Sequence, residues 1–413
     1  MQITSRFSLL ARSLVAAAAF AVVAASAPAA GAQTAPPAPA VTTAAEAAPV
    51  VYRGVLLPAQ AAEHTGAPAY NRDAWSHWDD LSSPRDCEHA RYEVLRWEAR
   101  AVPSPTTCNT AFNGTWFDPY TRTDYTGTST GLDVDHRIAL AEAHGSGGWA
   151  WTAARRQRYA NFLDAGEHLV AVAASVNRSK SDKDPGEWLP PSTAPVARCE
   201  YGRYWAHVKV RWGLTADSRE LTAIRGLLDQ CRTTFTDVPT GARGHTAITW
   251  AAGNGVIDGN TASNWTPTGT IDRQTAAVAI WRAWQAPQIE QILPYSDVAV
   301  APGQPGYQAI GWNRQVGALR GNNNGTFAPT ARTSRASFIY ALWRLNGAPT
   351  NRPTSGATDV PPGAWYEDAV DWAIDTRLAA LSNQRFNPDN DLIRRTAANW
   401  LHRTAANRFI ATN

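Results

Sequence analysis

From residue 235 onward one pattern returns about every 60 residues, which limits this stretch to architectures in which like units share a core. Phe235-Thr236-Asp237-Val238 returns as Tyr295-Ser296-Asp297-Val298 and as Ala357-Thr358-Asp359-Val360. The next slot holds Ala247-Ile248-Thr249-Trp250, Ala309-Ile310-Gly311-Trp312 and Ala369-Val370-Asp371-Trp372, each a short helix pattern with apolar residues at i, i+3 and i+4. A turn ending at Pro267, Pro329 or Pro388 follows, then a second helix opening at Asp272-Arg273, Ser334-Arg335 or Arg394-Arg395. Asp272 and Ser334 are expected N-caps, because their side-chain oxygens can accept from unpaired backbone N–H groups. Trp250, Trp281, Trp312, Trp343, Trp372 and Trp400 fall at repeat-core positions.

The chain begins with a charged stretch, an apolar run from Leu14 to Ala25, and small residues ending at Ala32. This is the pattern of an export signal over residues 1–32, too short and too alanine-rich for a membrane span. Residues 33–50 are Ala, Pro and Thr with little charge, so an extended linker is expected. The excess of Arg over Lys and the abundance of Ala suit a GC-rich bacterial genome. Residues 51–232 hold all four cysteines, and residues 233–413 hold the repeats, at about 235–293, 294–355 and 356–413. Export favours two disulfides over a zinc site, since no Cys-x-x-Cys pair occurs. Of the connectivities open to four cysteines, Cys87–Cys108 with Cys199–Cys231 is preferred.

Acidic and basic residues nearly balance over 51–232, so no domain-wide basic field announces a polyanion partner. Local contact is left to Arg155, Arg156 and Arg158, and to Arg178, Lys180 and Lys183. The run Asp133-Val134-Asp135-His136 reads as a strand, and an apolar strand opening at His168 leads to Asn177-Arg178-Ser179-Lys180-Ser181-Asp182-Lys183. Asp135 and Asn177 offer hard oxygens to a divalent cation, and His136 offers a nitrogen that titrates near neutrality. Phosphodiester hydrolysis requires such a base and such a cation. His64, His77, His89, His144, His207, His245 and His402 lack that context and are expected to be structural or surface residues.

These residues resemble the HNH nuclease motif of the ββα-metal fold, most closely bacterial HNH proteins related to the C-terminal domain of GmrSD-type restriction enzymes. Trp116-Phe117-Asp118-Pro119-Tyr120, Leu140-Ala141-Glu142-Ala143 and Asp184-Pro185-Gly186-Glu187-Trp188 extend the resemblance over about residues 75–232. It implies His136 as general base and Asp135 and Asn177 as metal ligands. His168 would brace the loop bearing the base, and Lys180, Asp182 and Lys183 would support the site. The repeats resemble the S-layer homology family, which implies binding to cell-wall polysaccharide through Arg273, Arg335 and either Arg394 or Arg395.

The expected protein is therefore α+β: a nuclease domain with a ββα-metal motif, then an all-α three-repeat domain. Its expected action is metal-dependent endonucleolytic cleavage, with Mg²⁺ or Mn²⁺ as cofactor and DNA ahead of RNA as substrate. It would be secreted or cell-wall associated, with no stable membrane insertion. A wall-binding surface protein with an inactive nuclease-like domain, or a secreted nuclease toxin, are the competing readings.

Overall fold

Among the described residues, apolar side chains gather in separate clusters, and the one running from Phe235 to Ala405 draws its buried members only from the repeats. The computed structural model describes residues 50–413 apart from 63–65, 82–85, 101–106, 288, 290–292 and 410–413. The expected export signal, nearly all of the linker, and His64 lie outside the described residues.

The N-terminal half mixes small sheets with helices, in keeping with an α+β class. Strands β1 (Val51–Tyr52) and β2 (Val55–Leu56) precede helix α1 (Ala90–Glu98). Strands β3 (Asn113–Asp118) and β4 (Thr123–Thr128) then form an antiparallel hairpin. Strand β5 (Leu132–His136) pairs antiparallel with β6 (Leu169–Ala173), placing His136 opposite Leu169 and Asp135 opposite Val170. Helices α2 (Leu140–Gly145) and α3 (Ala153–Ala160) lie between these strands in sequence. Helix α4 (Ala174–Lys180) leaves the end of β6 directly, giving a strand–strand–helix unit. Helix α5 (Pro195–Trp212) starts on a proline that needs no N–H partner and ends at Gly213, whose φ of 65° closes the helix. It packs against α6 (Ser218–Leu228), and a Cβ on Gly202 would meet that of Leu227 at 2.5 Å.

A buried ion cluster ties these helices together. Lys209 on α5 donates to Glu142 on α2 at 2.6 Å, to Glu220 on α6 at 2.6 Å and to Ser146 at 2.8 Å. Burial pushes the Glu220 carboxyl up to about 7, opposed by the Lys209 ammonium, whose own pKa these two carboxylates raise despite burial. The disulfides are Cys87–Cys108 and Cys199–Cys231, the expected pairing, and no cysteine is free among the described residues.

Each repeat contributes two helices: α7 (His245–Gly253) and α8 (Arg273–Ala283), α9 (Pro305–Gln315) and α10 (Arg335–Leu345), α11 (Glu367–Asp375) and α12 (Arg394–Ala405). Asp272 and Ser334 cap α8 and α10 as expected, accepting from Thr275 and Ser337 N–H. The six repeat tryptophans are buried. Three backbone hydrogen bonds close the repeats into a ring: Ile271 N–H to the Leu392 carbonyl, Leu392 N–H to Thr333, and Thr333 N–H to Ile271, at 3.1, 2.7 and 3.0 Å. Arginines repeat the cycle. Arg273 donates to the Phe327 carbonyl at 2.8 Å, Arg335 to Phe386 at 3.0 Å, and Arg394 to Trp265 at 2.8 Å, each guanidinium also lying over its partner's ring. Arg394, not Arg395, therefore makes the third tie between repeats.

The aspartate that opens each repeat holds a strained turn. Asp237, Asp297 and Asp359 each accept two successive backbone N–H groups, and the second of each pair belongs to Thr266, Ala328 or Asn387. Those residues have φ near 60°, a region costly for a side chain with a Cβ, so the carboxylate offsets the strain.

Replacing Arg335 with Met keeps the apolar stem but removes a charge-assisted bond to a backbone carbonyl and the ring contact. Urea unfolding should show a loss of about 1.5 to 3 kcal/mol. An unchanged midpoint would refute the role of these arginines as ties between repeats.

Candidate active site and repeat groove

The strand–strand–helix unit gathers most of the residues singled out in the sequence. His136, at the end of β5, is 7% exposed and donates Nε2–H to the Ala160 carbonyl at 2.8 Å. With the proton on Nε2, the lone pair of the neutral ring lies on Nδ1. The ring stacks on Tyr159 and packs beside Trp78. Burial lowers its pKa to about 3, only partly opposed by the Ala160 carbonyl, with electrostatic repulsion from His77, Lys180 and Arg72 adding to the depression. His168 is also buried and bonds the Tyr159 carbonyl through Nε2 at 2.7 Å; its pKa is likewise lowered to about 3 by burial. Its own carbonyl accepts the Arg137 N–H, so His168 links the residue after His136 to the Tyr159 carbonyl.

Asp135 is engaged at both oxygens. Lys180, fully buried at the end of α4, reaches Oδ1 at 2.9 Å and the His136 carbonyl at 3.1 Å; Tyr120 O–H reaches Oδ2 at 2.6 Å. Tyr120 is positioned by Asp118, which accepts its N–H and, through the other oxygen, the N–H of Ala173 at the end of β6. Asn177 on α4 donates to Asp133 at 3.3 Å, not to Asp135. That bond directs the Asn177 amide nitrogen to Asp133 and leaves its carbonyl oxygen as an acceptor. The donors here, carboxylates of Asp133 and Asp135 and the Asn177 carbonyl, are hard oxygens of the kind that suit Mg²⁺ or Mn²⁺. A cation at Asp135 must share that carboxylate with the Lys180 ammonium. Among the described residues no cluster of three or more His, Cys, Asp or Glu side chains forms a metal cage.

The surface clusters divide. Arg155 and Arg156 bond the backbone carbonyls of Trp212, Ala74 and Trp151, and Lys180 is buried, which removes it from any polyanion surface. Arg178, Asp182 and Lys183 are exposed beside α4, and Lys183 bonds the Ser179 carbonyl. Trp151 packs against Trp75, Tyr159 and Trp212, whereas Trp149 is exposed. Sequence reasoning missed Tyr120 and Asp133 as partners, although both stood inside quoted motifs. It also passed over Arg72 and Trp78 and gave His77 no functional role; the turn bearing all three is held over the site by tertiary bonds such as Asp79 N–H to the Asn161 side chain.

In the repeats, Arg394 also lines a groove of about 270 Å³ with Asp258, Asn260, Gln274 and Arg282. The groove lies between the first-repeat loop and the face of α8.

The lowered histidine pKa values carry a sign. Both rings stay neutral when folded but take a proton near pH 6.5 when unfolded, so their contribution is full above 6.5 and is lost as pH falls toward 3. NMR titration should keep both rings neutral down to about pH 4, and unfolding at pH 5 should take up about two protons through these residues. Ring titration near 6.5 in the folded protein would contradict their burial.

Residues 234–277 match the model of the S-layer homology domain. An uncharacterized secreted protein of Arthroderma benhamiae is 36% identical over 162 residues, which is 39% of this chain and 76% of that protein. An S-layer protein of Bacillus licheniformis is 24% identical over 171 residues, 40% of this chain but only 19% of that protein. A secreted, cell-wall-associated location agrees with the S-layer homology segment, and no helix among the described residues is long and apolar enough to cross a membrane. The chain belongs to the same family as the Arthroderma secreted protein and carries an S-layer homology domain at the start of its repeats.

Proposed function

We propose that this protein is a secreted, metal-dependent HNH endonuclease of the ββα-metal type, retained at the cell wall by its repeats. The observation that carries the catalytic reading is His136: a buried neutral imidazole, its Nε2–H fixed on the Ala160 carbonyl, placed on the strand–strand–helix unit that also bears Asp135 and Asn177. Its Nδ1 lone pair would take a proton from the attacking water. Near pKa 3 the resting ring is a weak base, but the negative charge of a bound phosphodiester favours the protonated form and strengthens it. Asp135 and Asn177 would hold the cation, with Asp133 steering the Asn177 amide. A divalent cation bound there supplies positive charge to the scissile phosphate and the leaving oxygen. Exposed Arg178 and Lys183 lie on the same helix end for contact with the nucleic-acid backbone, DNA ahead of RNA.

The Lys180–Asp135 ion pair favours a second reading, a wall-binding surface protein whose nuclease-like domain is inactive, because an ammonium already occupies the carboxylate a cation needs. Plasmid cleavage with Mg²⁺ or Mn²⁺ separates the two. His136→Ala should lower turnover roughly 10²- to 10⁴-fold with no recovery at high Mn²⁺. Asn177→Ala should recover partly as cation is raised. Because His136 stays unprotonated well below pH 6.5, kcat/KM should lack an acid limb near that pH. No cleavage by the wild-type protein under any of these conditions would establish the inactive reading.

Wall retention rests on the S-layer homology match and on the groove beside Arg394. The inter-repeat ties of Arg273, Arg335 and Arg394 leave a wall polymer only the remaining N–H groups of each fork. The intact protein should pellet with purified cell walls at low salt, and Asn260→Trp, which fills the groove, should release it. Wild-type protein left in the supernatant would rule out anchoring.

A further inference from the structure

Between the N-terminal half and the repeats lies a cleft of about 660 Å³, a size and setting typical of small-molecule sites. Trp97, Phe117, Tyr204 and Trp281 line it, together with Arg137, the residue after His136. Arg137 is only 5% exposed. Its guanidinium lies 4.8 Å from the Tyr204 ring centre and 5.7 Å from that of Tyr120, and its Nε is buried without a hydrogen-bond partner. A buried guanidinium N–H left unpaired is costly and calls for an acceptor.

The other ionised groups in the walls have partners. Arg100 pairs with Asp124, Arg122 with Glu200, Arg282 with Asp258 and Glu167 with Arg211, while Glu98 accepts the Ala171 N–H. Among the described residues Arg137 is thus the wall cation with no ion-pair partner at contact distance, the carboxylates of Glu98 and Asp135 acting on it from further off. Its planar fork matches the oxygens of a carboxylate or phosphate, and the two tyrosine rings already hold it in place, so little side-chain entropy remains to be lost on binding.

We propose that this cleft binds a small molecule carrying one oxyanion, a carboxylate or a phosphate, on a flat apolar body. The oxyanion sits on Arg137 and the body lies against the aromatic walls. Nothing in this depends on phosphodiester cleavage. Tyr120, beneath the Arg137 guanidinium, also holds Asp135, so an occupant would touch the network behind the candidate active site.

Calorimetric titration of the intact protein in EDTA, with benzoate, AMP and inorganic phosphate as probes, tests the proposal. Benzoate or AMP should bind with Kd below about 1 mM, and inorganic phosphate at least tenfold more weakly. Binding of benzoate alone assigns a carboxylate ligand; binding of AMP alone assigns a phosphate. Arg137→Gln should weaken whichever binds at least tenfold, with thermal melting as the control for folding. Gln304→Trp, at the cleft rim and distant in sequence from the motif, should weaken it comparably and decides the matter if Arg137→Gln does not fold. No binding by any probe, or wild-type affinity in both variants, would overturn the site. Equal affinity for phosphate and AMP would overturn the role of the aromatic walls.

Discussion

The carbonyls of Trp265, Phe327 and Phe386 lie in turns that open the way to a second helix, and each accepts from an arginine of a neighbouring repeat. A backbone carbonyl removed from water must find a donor, and a charged donor makes the stronger bond. The constraint recurs in the other half, where the carbonyls of Ala160 and Tyr159 accept from His136 and His168. Around the repeats this pairing closes a ring and lets the units share one interior. Beside β5 it fixes the tautomer and direction of two buried imidazoles. The same requirement therefore builds a scaffold in one half and fixes two buried imidazoles in the other.

Charge is spent unevenly between the halves. The repeats place single carboxylates, Asp237, Asp297 and Asp359, against turn N–H groups. The N-terminal half buries ion pairs outright: Lys209 with Glu142 and Glu220, and Lys180 with Asp135. Buried pairs are weak evidence of stability, because desolvation offsets much of their attraction. Removing one partner would leave a charge uncompensated, so these pairs hold their elements in one arrangement. Lys180 does this at the candidate site, where it joins the last turn of α4 to β5.

The halves meet at specific groups. Asn254, at the end of α7, accepts from His207 on α5 and donates to the Gly54 carbonyl. Gly166 N–H donates to Ala286, and Gln308 to the carbonyl of Trp97. The last two contacts flank the cleft that Arg137 faces, so the cleft exists only where the two halves pack.

The sequence by itself determined the repeat period, the helix caps at Asp272 and Ser334, the buried tryptophans and the strand bearing His136. Each of these follows from local spacing or from chemistry within a few residues, which a linear pattern records. Tertiary structure decided the rest. It chose Arg394 over Arg395, because only the closed ring brings one of them to the Trp265 carbonyl. It turned Lys180 from a surface cation into the buried partner of Asp135, paired Asn177 with Asp133, and carried the Arg72–Trp78 turn to His136. Those outcomes depend on which side chains compete for the same oxygen across 40 or more residues of chain, as with Lys180 and Asp135, 45 apart. Periodicity and propensity act over a few residues and carry no record of that competition.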